Sequence, residues 1–144
     1  MRTIKFFLPV LILILSGCAT IGEKYSPAPT PPEHKSLAYL FRSNVGFGNF
    51  WITNFLVDGE EVVSLYDSGY SWVYLTEGEH SFAANTPTQN KLKFDAPIIA
   101  GRTYYIEYTQ ESVEYNSVRN IIRMVSPKIG KSIIKDYSYK KAKQ

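Results

Sequence analysis

The sequence predicts an all-β domain, an antiparallel β-sandwich of about seven or eight strands with a short C-terminal helix. Three observations lead there. Aromatic residues are abundant, with 11 Tyr and 8 Phe in 144 residues, and such side chains favour pleated, half-buried surfaces. Turn signals recur every 8–12 residues from Leu37 onward, the spacing of a sandwich or barrel. No helical period appears before Pro127. At 44% hydrophobic and 20% charged, the chain has the composition of a globular protein, and its length suits one domain.

The first strand is Leu37-Ala38-Tyr39-Leu40-Phe41-Arg42, apolar almost throughout. Residues 45–49 form a glycine-containing loop. Over 51–57 the side chains alternate, with Trp51, Thr53, Phe55 and Val57 on one face and Ile52, Asn54 and Leu56 on the other. Asp58-Gly59 is a hairpin signal of the type I′ kind, and 62–65 return. Asp67-Ser68-Gly69 breaks the chain again. Tyr70, Trp72 and Tyr74 then alternate with Ser71, Val73 and Leu75, and Thr76-Glu77-Gly78-Glu79 turns into His80-Ser81-Phe82-Ala83. Lys91-Leu92-Lys93-Phe94 alternates charged and apolar residues, as a half-exposed strand does. Ala100-Gly101-Arg102 leads into Thr103-Tyr104-Tyr105-Ile106-Glu107-Tyr108, and 118–125 reads as a further strand. Beyond Pro127, a favoured first helical residue, Ile129, Ile133, Ile134 and Tyr137 fall at helical spacing. Gly130 works against that helix.

The first 36 residues are of another kind. Arg2 and Lys5 precede an apolar run over 6–15, the length of a signal peptide and too short to span a bilayer. The run Leu15-Ser16-Gly17-Cys18 resembles the lipobox of bacterial lipoprotein precursors. That resemblance implies cleavage before Cys18, diacylglycerol on its thiol and a further acyl chain such as palmitate on the new amino terminus. Two or more chains hold a protein firmly on a membrane, at about 0.8 kcal/mol per buried CH₂. Residues 1–17 are thus expected to be a removed signal peptide, 18–36 the acylated Cys with a Pro-rich tether, and 37–144 the β-sandwich domain. Pro27, Pro29, Pro31 and Pro32 make the tether extended and stiff, with a reach of roughly 40–55 Å. Ala19 stands where an acidic residue often retains Gram-negative lipoproteins at the inner membrane. The absence of an acid there resembles the outer-membrane default, and the expected location is the outer membrane, lipid-anchored, on the periplasmic side.

Cys18 is the one cysteine. Once acylated it leaves no thiol for a disulfide, a metal or nucleophilic catalysis. The formal charge is +3; without residues 1–17, which hold Arg2 and Lys5 and no acid, 14 basic face 13 acidic residues, or +1. That balance carries no nucleic-acid footprint. Lys140, Lys141 and Lys143 form a short basic tail, solvated or in contact with anionic lipid.

No constellation points to catalysis, and no cofactor or metal is expected. His34 lies in the tether. His80 opens a strand after a turn, where it serves structural hydrogen bonds; a hydrolytic role would need a nucleophile and an orienting acid beside it. A metal there would need Asp58, Asp67 or Glu79, at no recognisable spacing. Arg42 ends an apolar strand. It either forms a salt bridge, with Asp58 or Glu107, or anchors an anionic ligand. The aromatics offer two candidate surfaces, Phe47, Phe50 and Trp51 beside the glycine-rich loop and Tyr70, Trp72 and Tyr74 on one strand face. One set belongs to the core; the other can stack on sugars or bury into a partner.

Three segments resemble a bacterial family of small lipoproteins labelled domain of unknown function 2846. They are Leu37-Ala38-Tyr39-Leu40-Phe41-Arg42; Val57-Asp58-Gly59 through Tyr70 to Leu75-Thr76-Glu77-Gly78-Glu79-His80; and Ala100-Gly101-Arg102-Thr103-Tyr104-Tyr105. The match spans roughly 37–126, and the family's usual Pro is absent at Thr76 and Glu77. The resemblance implies a small β-sandwich and brings no catalytic residues. The expectation is a non-enzymatic interaction or structural module, held to the membrane by its lipid and meeting an envelope protein. Alternatives are a glycan, peptidoglycan or lipopolysaccharide binder, or an inhibitor or immunity-type protein that blocks a partner enzyme.

Overall fold

The computed structural model describes residues 25–44, 51–87, 89–114 and 117–143, the side chains of 89–91 excepted. Cys18, Phe47 and Phe50 lie outside the described residues. The chain forms β1 (Lys35–Arg42), β2 (Thr53–Val57), β3 (Glu60–Leu65), β4 (Gly69–Thr76), β5 (Gly78–Thr86), β6 (Gln89–Ile98), β7 (Thr103–Val113), β8 (Ser117–Val125), α1 (Pro127–Ile134) and a two-residue β9 (Ser138–Tyr139). Two sheets pack face to face, one in the order β8-β7-β1-β4-β9 and one in the order β3-β2-β5-β6. The predicted all-β sandwich with a short terminal helix is the fold.

Pairing is not antiparallel throughout. β1 runs parallel to β7, with Leu37 beside Thr103 and Arg42 beside Tyr108, and β4 runs parallel to β9. β1 is central to its sheet and covered on both faces, so all but its first residue are buried. This is why it reads as a continuous apolar run instead of an alternating one. Its inner face, Ala38 and Leu40, meets Phe55, Val57, Val63, Leu65, Phe82 and Ile98 of the other sheet in the main core. Its outer face, Leu37, Tyr39 and Phe41, joins Tyr70, Tyr105 and Ile134 in a second core.

That outer face is covered by both ends of the chain. Ser126 caps α1, its hydroxyl accepting from the Ile129 N–H, and Pro127 opens it. The helix seats Gly130 and Ile134 against the sheet. Ile129, expected on the buried face, is 52% exposed. The seam has rotated by one residue, because Gly130 lets the helix backbone approach the Tyr105 ring. From the other end, residues 25–32 lie along the same face. From Tyr25 onward the Pro-rich segment is therefore docked and not a free tether, and Lys35 and Ser36, counted with it in the sequence, already belong to β1.

The basic tail also has a structural role. The Lys140 N–H donates to Tyr70 O and the Lys143 N–H to Val62 O, 2.8 Å each, so the tail ties β4 to β3. Ala142 between them is 5% exposed and part of the main core. The lysine side chains stay outside, with Lys143 Nζ 3.0 Å from Glu61.

Candidate functional site

The sandwich has two ends. β1 antiparallel to β4 places Arg42 opposite Gly69 at one end and Lys35 opposite Thr76 at the other. The sequence candidates Arg42 and Trp51 meet at the first. The Arg42 guanidinium donates to Trp51 O, and its Nε lies 2.9 Å from Asp67 Oδ1. It also sits 6.0 Å from the centre of the Tyr108 ring. Its side chain is only 2% exposed. Arg42 is thus an enclosed ion pair and not an open anchor for an anion, and its partner is Asp67, not Asp58 or Glu107. The reason is register: Gly69 beside Arg42 brings the turn residue Asp67 to the strand end. Burial pushes the Asp67 carboxyl above its ordinary range, against the opposing pull of Arg42. Glu107 is held instead by Ser43 Oγ and by Arg123 Nε at 2.8 Å.

Trp51 itself is 49% exposed. Thr53 pairs with Leu65, which brings Trp51 and Tyr66, 53% exposed, to the same end. The second aromatic set is graded. Tyr70 is fully buried, whereas Trp72 and Tyr74 are half-buried at the rim of the same layer. Trp72 lies 5.1 Å from Tyr74 and stacks on Tyr139 at 6.2 Å.

The feature absent from the sequence reading is a set of phenols that grips the Pro-rich segment. The Tyr70 hydroxyl accepts from Ser26 N–H and donates to Ser26 O, both at 2.7 Å. Tyr39 accepts from the Ala28 N–H at 3.0 Å, and Tyr74 donates to Pro29 O at 3.1 Å. Tyr25 packs 5.6 Å from Tyr70. Since Tyr70 lies near the Arg42 end and Tyr74 nearer the Lys35 end, the segment runs from the first to the second. Burial, only partly offset by the Ser26 contact, pushes the Tyr70 phenol up to about 12. Aromatic surfaces are suited to Pro-rich chains, which have few N–H groups to satisfy.

At the opposite end His80 braces a turn. Asp58 and Gly59 have φ of 52° and 88°, as a type I′ hairpin requires. Asp58 Oδ1 accepts from the Ser81 N–H at 2.9 Å; its Oδ2 lies 2.6 Å from His80 Nδ1, and His80 Nε2 lies 2.9 Å from Thr76 O. Burial would raise the Asp58 carboxyl, but the Ser81 N–H and His80 outweigh it and hold it below its ordinary value. Both ring nitrogens face acceptors, and no third metal-ligand side chain joins the pair among the described residues. Two clefts also lie toward this end, one of about 330 Å³ between Lys35, Val57, Val62 and Leu75, and one of about 420 Å³ beside Arg102, Tyr104 and Met124. Neither contains His80.

No helix among the described residues is long and apolar enough to cross a membrane. The chain matches no family model, no curated protein and no solved structure.

Proposed function

We propose that this chain is a bacterial envelope lipoprotein, anchored through Cys18 to the outer membrane and acting as a non-enzymatic interaction or structural module. The observation that carries the reading is the run Leu15-Ser16-Gly17-Cys18 directly after a basic start and a ten-residue apolar stretch. The docked segment supports it. An anchor that feeds into a gripped strand passes its load to the sheet instead of to a loose end. Kinship with the small-lipoprotein family rests on the three motif segments. Two residues of its middle segment, Asp58 and His80, bond to each other, which gives that motif a turn-bracing purpose. A hydrolytic role for His80 gains no support from this geometry, because its ring nitrogens are engaged by Asp58 and Thr76.

The test is a mass measurement with membrane fractionation. The wild-type chain should lose residues 1–17, gain the mass of its acyl chains on Cys18 and float with outer-membrane vesicles. Cys18→Ala should keep the precursor length and no lipid. A Cys18→Ala protein that stays firmly membrane-bound at mature size refutes the anchor.

A second reading, glycan recognition, is favoured by the half-buried Trp72, Tyr74 and Tyr139 at the sheet rim. Trp72→Ala should then abolish retention on peptidoglycan or lipopolysaccharide columns under conditions where circular dichroism shows both proteins folded. Equal retention of the two proteins rejects it.

A further inference from the structure

We infer that the Arg42 end of the sandwich is its membrane-facing surface, where Trp51 and Tyr66 enter the interface of the bilayer that holds the anchor. This rests on the proposed acylation of Cys18. The first argument is reach. The gripped segment begins at Tyr25 on Tyr70, so only 19–24 separate the anchor from a fixed point. Seven Cα steps span at most about 25 Å. Tyr25 emerges at the Arg42 end. The Lys35 end lies farther away by most of the length of the eight-residue β1, roughly 25 Å. It could reach the bilayer only with the linker fully stretched along the domain's side.

The second argument is surface chemistry. The Arg42 end carries exposed Trp51 and Tyr66, with Val118 (42% exposed) on the β7–β8 extension beyond it. Trp and Tyr are the residues that settle at the headgroup level, with the ring in the acyl boundary and the polar atom in water. Arg42 fixes the Trp51 backbone through its carbonyl, so the indole is presented from a pinned position. Charge points the same way. The Lys35 end exposes Glu33, Asp58, Glu60, Glu61, Glu77 and Glu79 against Lys35, Arg102 and Lys143, and this acidic excess is repelled by anionic lipid. At the Arg42 end Glu111, Glu114 and Asp136 are balanced by Arg119, Arg123 and Lys135.

Two aromatics alone bind a bilayer weakly. Tethering changes this, because a short linker raises the effective concentration to the millimolar range. The untethered domain should therefore stay in solution, and the anchored one should dock.

The test uses the acylated protein reconstituted in phosphatidylethanolamine/phosphatidylglycerol vesicles, with and without lipids brominated in the upper acyl chain. The difference between wild type and Trp51→Phe isolates the Trp51 emission from that of Trp72. The Trp51 emission should fall in brominated vesicles, as expected of an indole at the headgroup level, while Trp72 stays unquenched. Trp51 emission unaffected by bromine in a protein shown by mass to be acylated overturns the docking and leaves the anchor standing. Stronger quenching of Trp72 than of Trp51 also overturns it, since another face would then meet the lipid. If mass shows no acylation, the chain from Cys18 onward, which retains every described residue, is coupled through its thiol to a maleimide lipid. Quenching of Trp51 then supports the docking surface although the natural anchor has failed, and its lack refutes the surface.

Discussion

Alanine at position 130 should destabilise the protein even though it improves the helix. Gly130 is buried where α1 crosses the sheet. A Cβ there would lie inside 3.0 Å of the Cβ, Cγ and Cδ1 atoms of Tyr105. These atoms form the root of the side chain, so no rotamer change removes the clash. Tyr105 is 6% exposed and stacked on Tyr39 at 5.1 Å and 15°, which leaves it little room to yield. Helix propensity favours alanine over glycine by about 1 kcal/mol. Overpacking costs about 1–3 kcal/mol, and three contacts with a rigid group place this site near the upper end. The net expectation is a loss of about 1–2 kcal/mol. Urea unfolding followed by near-ultraviolet dichroism should show a lower midpoint at an unchanged slope. Amide protons of α1 should exchange faster than those of β1. Ser132→Ala, on the exposed side of the same helix, serves as the control and should gain a few tenths of a kcal/mol. A Gly130→Ala midpoint at or above wild type would mean that α1 is not seated on Tyr105.

Three further outcomes are expected. Arg42→Met or Asp67→Leu alone should cost about 3–5 kcal/mol, because each strands a buried partner, and Arg42→Met/Asp67→Leu should recover much of it; purely additive losses in this double-mutant cycle would refute the pairing. Tyr70→Phe removes both contacts to Ser26 and should cost about 1–3 kcal/mol, with faster exchange of the Ser26 amide while the β1 amides stay protected; unchanged Ser26 exchange would show that the segment is held by other means. The depressed Asp58 carboxyl contributes stability that is present above the ordinary carboxylate range and lost as pH falls through its lower folded value, so Asp58→Asn should be less stable at neutral pH and converge on wild type in acid; stability curves that stay parallel down to strong acid would refute the linkage.

What the sequence disclosed was local. The Asp58-Gly59 turn needs two positive φ angles, and the residues there say so. β1 reads as a strand, and Pro127 reads as a helix start, because each feature sits within a few neighbours. The parallel pairing of β1 with β7 leaves no such mark, since a strand alternates equally well beside either neighbour. Arg42 was legible as a charge needing a partner. Choosing Asp67 over Asp58 or Glu107 required the Arg42–Gly69 register, which is a tertiary fact. Ile129 and Gly130 show the limit of periodicity. Both residues fit a helical stripe, and the choice between them depends on how near Tyr105 comes. The Pro-rich segment was misread furthest, because its lack of apolar period suggested no contact while the grip comes from Tyr39, Tyr70 and Tyr74, 11 to 45 residues away.

That grip also explains a choice of residue. A sheet face built from Leu37, Tyr39, Phe41, Tyr70 and Tyr105 would be a large exposed apolar patch if left bare, and such patches recruit other surfaces. A cover is therefore needed, and the segment leading from Cys18 supplies half of it. Prolines suit a cover because they demand little: among residues 26–32 only Ser26, Ala28 and Thr30 have an N–H to satisfy. Thr30 is exposed to water, and the other two donate to the phenols of Tyr70 and Tyr39. Phenylalanine at either position would bury the same ring and leave a backbone N–H against an apolar wall, at about 1–3 kcal/mol. At these two positions the tyrosine that first suggested β structure has a second purpose: its ring fills the outer core, and its hydroxyl fastens the Pro-rich segment to the sheet.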